Sequence, residues 1–181
     1  MAILRRCRLF EFLAALLLTA EIYAADVASD KYALMALYTY NFAKFTKWPA
    51  QSFASEDAPL DLCVLGEDPF GTALAKVDTQ KVRGHPLRIK LFPRVAVVSG
   101  CHIVFISRSE DWRLEQILAS LQNASILTIS DIPDFSERGG MITLTTVNNR
   151  IRFLINPEAV GRADLTLSSK LLELAQIIDK D

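Results

Sequence analysis

Few residues in this chain could do chemistry. It has two histidines, His85 and His102, and three cysteines, Cys7, Cys63 and Cys101. No Cys-x-x-Cys spacing exists, and two histidines do not make up a zinc ligand set, so no metal centre is expected. A serine nucleophile on an α/β scaffold would sit in a G-x-S-x-G elbow, and that motif is missing. His102 directly follows Cys101 at the start of an apolar run and reads as a strand-end residue, not a general base. His85 precedes Pro86 and reads as loop. In "GEDPFG", Gly66 and Gly71 have the spacing of a phosphate loop. The Lys-Ser/Thr pair that would grip phosphate and magnesium is absent, and Glu67 and Asp68 would repel an anion. The paired acids Glu56/Asp57, Glu67/Asp68 and Glu110/Asp111 fall in loops or at helix starts, where solvent and the helix dipole account for them. Gly139-Gly140 in "SERGGM" suits a turn before a strand, or a close approach of backbone to a ligand. The chain is therefore expected to be a binding protein and not an enzyme, with no cofactor. Its net charge of −1 lacks the basic excess that nucleic-acid binding needs.

The cysteine chemistry depends on the compartment. "MAILRRCRLF" supplies a basic start with Arg5, Arg6 and Arg8. "LFEFLAALLLTA" follows as an apolar stretch of signal-peptide length, and "IYAA" offers a cleavage site ending at Ala24. The apolar run is shorter than the roughly 20 residues a spanning helix needs. The sequence thus divides into a signal peptide, 1–24, and one domain, 25–181, expected in the periplasm. Cys7 lies before the apolar stretch and cannot be a lipid-modified first residue. Removal of 1–24 leaves Cys63 and Cys101, an even pair that reads as a disulfide in an exported chain. The alternative is two buried free thiols. A bridge closing a loop of roughly 40 residues would contribute about 4 kcal/mol in the chain-entropy picture.

The elements that must position these residues follow from periodicity. Residues 28–47 read as a helix in which Leu34, Leu37 or Tyr38, Asn41, Phe45 and Trp48 recur every three or four positions. Met35 and Phe42 widen that stripe, and Pro49 ends the helix. "PLDLCVLG" (59–66) reads as a strand, and "EDPFGTALAKV" as a helix with Asp68 as N-cap and Pro69 at its first position. "HPLRIKLF" (85–92) alternates as a strand. "CHIVFIS" (101–107) and "SILTIS" (125–130) are solid apolar runs, as strands buried on both faces should be. "SEDWRLEQILASLQ" reads as a helix capped by Ser109, and "DIPDFSERGG" as a loop. "MITLTTV" (141–147) and "RIRFLIN" (150–156) flank Asn148-Asn149, a two-residue hairpin signal. Asn156 caps a short helix begun by Pro157, and a last helix spans 168–178. This alternation predicts an α/β fold: a Rossmann-like, mainly parallel sheet with helices on both faces and a C-terminal antiparallel hairpin.

Taken in order, "YTYNFAKFTKWP", "LCVLGEDPFG", "GCHIVFIS", "ILTISDIPDF", "GGMITL", "RIRFLINPEAV" and "LSSKLLELAQII" resemble the YfiR family of exported proteins over residues 31–178. The resemblance implies a periplasmic, Rossmann-like regulator that is not an enzyme. It implies repression of an inner-membrane diguanylate cyclase through that enzyme's periplasmic sensor region, so that release raises cyclic di-GMP and promotes biofilm. It also implies sequestration by an outer-membrane lipoprotein. Cys63 and Cys101 match the family's cysteines. The family's second bridge, in the C-terminal half, has no counterpart, because no cysteine follows Cys101.

For a partner surface, Phe153, Glu158 and Arg162 combine an aromatic with charges, the mixture that protein interfaces favour; the alternative is a core Phe153 with solvated charges. The heavily aromatic first helix is a second candidate, and its apolar excess would favour a homodimer. A competing reading is a periplasmic small-molecule binder, with its pocket near 66–71 and 130–134 at the carboxyl ends of the strands.

Overall fold

The structure is a computed structural model that describes residues 31–178 apart from 79, 94–97, 99 and 149. The expected signal peptide, the start of the domain at 25 and Asn149 lie outside the described residues. No helix among those described is long and apolar enough to cross a membrane.

Helix α1 covers the described residues 31–45. The strands that follow are β1 (Thr46–Lys47), β2 (Leu60–Leu65), β3 (Lys81–Val82), β4 (His85–Phe92) and β5 (Ile103–Ile106). Helix α2 (Leu114–Ser120) leads into β6 (Leu127–Ser130), β7 (Ile142–Val147) and β8 (Arg150–Ile155). Helix α3 (Pro157–Arg162), β9 (Thr166–Leu167), α4 (Ser169–Leu172) and β10 (Gln176–Ile177) complete the chain. Eight strands form one sheet in the order β10-β8-β7-β6-β5-β2-β4-β3. The run β4-β2-β5-β6-β7 is parallel throughout. At its ends β3 pairs antiparallel with β4, β8 antiparallel with β7, and β10 parallel with β8.

What forms is a mixed α/β sheet, and the helical layers expected over both faces are thin. The helix expected after β2 is a 3-10 segment, Gly71–Lys76. Gly71 sits at φ +52°, and Asp68 Oδ1 accepts the Phe70 N–H at 2.9 Å, a local turn that competes with helix initiation. The helix expected from Ser109 begins as a 3-10 turn, Arg108–Arg113, before becoming α2. β7 and β8 pair from Ile142↔Ile155 to Val147↔Arg150.

Two apolar clusters lie on opposite faces of the sheet. Leu62, Val64, Ile103, Phe105 and Ile129 face α1, while Cys63, Leu65, Val104 and Ile106 face α2 with Leu114 and Ile117. Alternation along β2 and β5 delivers one residue to each face in turn.

The buried face of α1 differs from the expected stripe. Met35, Ala36, Thr39, Phe42 and Ala43 are buried, whereas Leu34, Leu37 and Phe45 are 41, 47 and 39% exposed. Thr39 and Thr46 enter the core because their hydroxyls donate to the carbonyls of Met35 (2.9 Å) and Phe42 (2.7 Å), which removes the cost of burying an unpaired polar group. The helix stops before Pro49 because Thr46–Lys47 pair with Thr166–Leu167. The last helix is also short: beyond α4 the chain enters β10 and satisfies the open edge of β8, with Ile178 N–H donating to Ile155 O at 2.9 Å.

Gly140 shows which reading of the double glycine holds. Gly139 takes φ +104° and makes the turn, while Gly140 lies against the buried Phe135 ring. A Cβ on Gly140 would stand 2.2 Å from Phe135 Cε1. Gly140→Ala is therefore expected to destabilise the fold by about 1–3 kcal/mol, the range for overpacking a rigid core. The double variant Gly140→Ala/Phe135→Leu should recover part of that loss in urea denaturation; an unchanged midpoint for Gly140→Ala would contradict the packing described.

Candidate functional site

The parallel run presents two ends, and each gathers polar side chains for a different reason. At the amino end, His102 lies just before β5 and is held on both sides. Its Nδ1 accepts the Asp61 N–H at 3.0 Å and its Nε2 reaches Ser52 O at 3.0 Å. That arrangement is the neutral tautomer with N–H on Nε2. Burial lowers its pKa, against opposing contributions from the Ser52 carbonyl and Asp61. Phe53 stacks between His85 and His102, with ring centroids at 3.9 and 4.5 Å. Trp48 Nε1–H donates to His102 O at 3.2 Å. His102 thus fastens the segment after α1 to the sheet, and both ring nitrogens are occupied by that task. His85 belongs to β4 and not to a loop. Asp61 on β2 receives Arg88 Nε at 2.5 Å and Lys90 Nζ at 2.8 Å. Burial works to raise its pKa, and the hydrogen bonds from Arg88 and Lys90 outweigh that, leaving it below the usual carboxylate range.

Cys63 and Cys101 form a disulfide with Cα atoms 6.0 Å apart. Cys63 stands in the middle of β2 and Cys101 two residues before β5, and these strands are neighbours in register Leu62↔Ile103. In that register Cys63 lies opposite Val104, so it is the chain leading into β5 that brings Cys101 over to Cys63, and both cysteines are buried in the α2-side cluster.

At the carboxyl end the chemistry is different. Above β2, the space over Gly66 is filled: a Cβ there would lie 2.4 Å from Ser109 Oγ and 2.7 Å from Glu110 Cγ, and Ser109 Oγ accepts the Glu67 N–H at 2.9 Å. The glycine spacing in "GEDPFG" therefore serves helix–strand contact, not a phosphate. Beyond β6 the crevice is open. Ser130 Oγ donates to Ile106 O at 2.6 Å and accepts the Ile132 N–H at 2.9 Å, which turns the chain so that Asp131 folds inward. Asp131 is 2% exposed. Its Oδ2 accepts Tyr32 Oη at 3.0 Å, Arg108 Nε at 3.1 Å and Lys31 Nζ at 3.4 Å. Burial, then the charge and hydrogen bond of Asp131, push the Tyr32 hydroxyl up to about 12. Beside Asp131 lies a cavity of about 280 Å³ whose walls include Arg108, Asp131, Asp134, Glu137, Thr143 and Leu154. Loss of hydration and the neighbouring Asp134 carboxylate raise the pKa of Glu137.

The stretch 32–176, most of the chain, matches a family model described as YfiR/HmsC-like. The chain belongs to the YfiR/HmsC-like family. The matched stretch takes in Tyr32, the bridge, Asp131 and the β7–β8 pair, so both ends of the sheet lie within the YfiR/HmsC-like region.

The residues suggested for partner contact in this YfiR/HmsC-like protein are not brought together on one surface. Phe153 is 7% exposed and packs in the α1-side core, its ring 5.1 Å from that of Phe42 and 6.1 Å from that of Tyr38. Glu158 and Arg162 lie exposed on α3 and pair with each other. Asn156 caps that helix as expected, its Oδ1 accepting the Ala159 N–H at 3.0 Å. Of the two segments where sequence places a small-molecule pocket, 66–71 is closed over Gly66 and 130–134 borders the cavity, while Lys31, Tyr32 and Arg108, the partners of Asp131, are not singled out by sequence. The signal for Asp131 was an acid directly after a buried strand, the position where an open parallel sheet places ligand-facing groups.

Proposed function

We propose that this protein is a periplasmic regulatory binding protein that represses a membrane-anchored diguanylate cyclase by engaging its periplasmic sensor domain, and so lowers cyclic di-GMP and biofilm formation. Membership of the YfiR/HmsC-like family carries this reading. The Cys63–Cys101 bridge supports it, because disulfides persist in oxidising compartments. So does the signal-peptide pattern of residues 1–24. Repression acts by population shift: a binder specific for the inactive sensor conformation stabilises that conformation by its difference in affinity.

The exposed Leu34, Leu37 and Phe45 of α1 provide apolar contact area, and Glu158 and Arg162 on α3 provide exposed charges. The same α1 face is the proposed seat of a homodimer, and an outer-membrane lipoprotein is the proposed competitor that draws the repressor away from the cyclase.

Titration calorimetry of the oxidised mature chain, 25–181, against the periplasmic domain of a co-encoded cyclase tests the reading. Saturable binding is expected. Leu37→Asp, which places a charge on the α1 face, should weaken it at least tenfold, a small fraction of what a central interface residue contributes. Absence of binding at high micromolar protein would sink the assignment to cyclase repression. A small-molecule role is the second reading, and the cavity beside Asp131 favours it.

A further inference from the structure

The 3-10 turn that follows β5, Arg108–Arg113, is held by every side chain but one. Arg108 Nε donates to Asp131 O and to Asp131 Oδ2, both at 3.1 Å. Ser109 Oγ accepts the Glu67 N–H at 2.9 Å. Glu110 and Arg113 are buried and form an ion pair. Asp111 Oδ1 accepts from Arg138 Nη1 at 2.5 Å, and Nη2 of the same guanidinium donates to Glu115 Oε1 at 2.8 Å. The exception is Trp112, which is 78% exposed. Its indole is nonetheless backed, because the Arg113 guanidinium carbon lies 5.4 Å from the ring centroid and Arg113 is itself fixed by Glu110. The ring stands on a rigid support and leaves most of its surface to solvent.

Tryptophan is on average highly buried in folded chains, as the chain's other tryptophan, Trp48, is here. A solvent-facing tryptophan on a pinned turn has the properties of an interface anchor: the residue type is enriched among binding hot spots, and a fixed backbone lowers the ordering cost of association. The exposed charge around it is acidic. Glu67, Asp111 and Glu115 stand against Arg138, which the last two share. The turn also lies at the same end of the sheet as the start of α1, since Tyr32 and Arg108 meet at Asp131 Oδ2. Leu34 follows Tyr32 by two residues and Trp112 follows Arg108 by four. A partner covering roughly 800 Å² per side reaches both.

We propose that Trp112 is an anchor of the partner interface and enters an apolar recess on the periplasmic sensor domain of the cyclase, a recess bordered by Lys or Arg side chains that face Glu67, Asp111 and Glu115. The inference rests on the repressor reading and adds to it the chemistry of the sensor surface. A second copy of this chain fits the position less well. A two-fold contact through the turn sets the same patch against itself, and the acids around one Trp112 would then meet those around the other.

The test is titration of the oxidised mature chain with the co-encoded cyclase's periplasmic domain, read by calorimetry and by tryptophan fluorescence. Trp112→Ala should weaken binding about tenfold or more, with Trp112→Phe between it and the parent. Both variants should keep the parent's urea midpoint, because the side chain is exposed. Glu67→Lys, which alters an exposed charge and leaves the Glu67 N–H in place, should weaken binding several-fold and reduce its dependence on salt. In the parent complex, emission should move to shorter wavelength and resist acrylamide quenching, and the Trp112→Phe chain serves as the blank for Trp48 and for tryptophans of the sensor domain. A parent that binds while Trp112→Ala binds equally tightly, or a Trp112 still open to acrylamide in the complex, would overturn the anchor and leave repression standing. A free chain that shields Trp112 when concentrated and exposes it on dilution would also overturn it, in favour of a second copy. A parent that does not bind at all removes repression and the anchor together.

Discussion

Phe153→Ala is expected to destabilise the protein by about 3–5 kcal/mol, the range for truncating a buried aromatic. The ring is buried in β8 and sits among Phe42 and Tyr38, with the Phe42 ring at 5.1 Å in edge contact. Truncation removes its apolar burial and leaves a void that α1 and β8, both anchored elsewhere, close only in part. Urea denaturation followed by circular dichroism measures it, read as a lower midpoint at unchanged slope. The contrast is Glu158→Ala and Arg162→Ala. Both side chains are exposed and pair only with each other, so each should stay within about 0.5 kcal/mol of the parent. These two variants, and not Phe153→Ala, are the informative ones for the proposed cyclase binding. A Phe153→Ala protein as stable as the parent but deficient in binding would restore Phe153 as a contact residue and contradict its place in the core.

Loss of the Cys63–Cys101 bridge should cost about 4 kcal/mol, from the chain entropy released when a loop spanning 38 positions is opened. Cys63→Ala/Cys101→Ala should show this as a large drop in melting temperature. The parent measured in reductant should approach the double variant, and reductant should leave the variant unmoved. A change below about 1 kcal/mol would mean that β2 and β5 hold their register without the covalent link, and that the bridge is only incidental to the fold. The partner experiment then separates staple from switch. If repression requires the native fold alone, the oxidised chain and whatever folded fraction survives reduction bind the cyclase equally per folded molecule. A gating role requires the folded but reduced chain to bind more weakly. Both cysteines are buried, which limits access of a reductant to the folded state and favours reduction through local opening.

The sequence by itself determined the six longer strands, the cysteine pair and the family. β2, β4, β5 and β6 are runs whose apolar content or alternation leaves little choice of period, and each was read within a residue or two. Asn156 as a helix cap was legible because the cap and the following proline are local. The disulfide was legible once export was granted, because two cysteines have only one way to pair.

Tertiary structure alone decided three things. The first is which side of α1 turns inward. Apolar residues occupy most of 34–38, so several stripes compete, and the sheet selected the one in which Thr39 and Thr46 bond back to their own helix. The second is where helices end. Residues 173–178 carry a helical pattern, yet the open edge of β8 offers unpaired backbone groups, and Gln176–Ile177 complete it as β10. The third is the Asp131 cluster. Lys31, Tyr32, Arg108 and Asp131 come from α1 and from the ends of β5 and β6, up to 100 positions apart in the chain, and no local spacing brings them together. Short-range periodicity is written in neighbouring residues; the meeting of strand ends exists only once the sheet has formed.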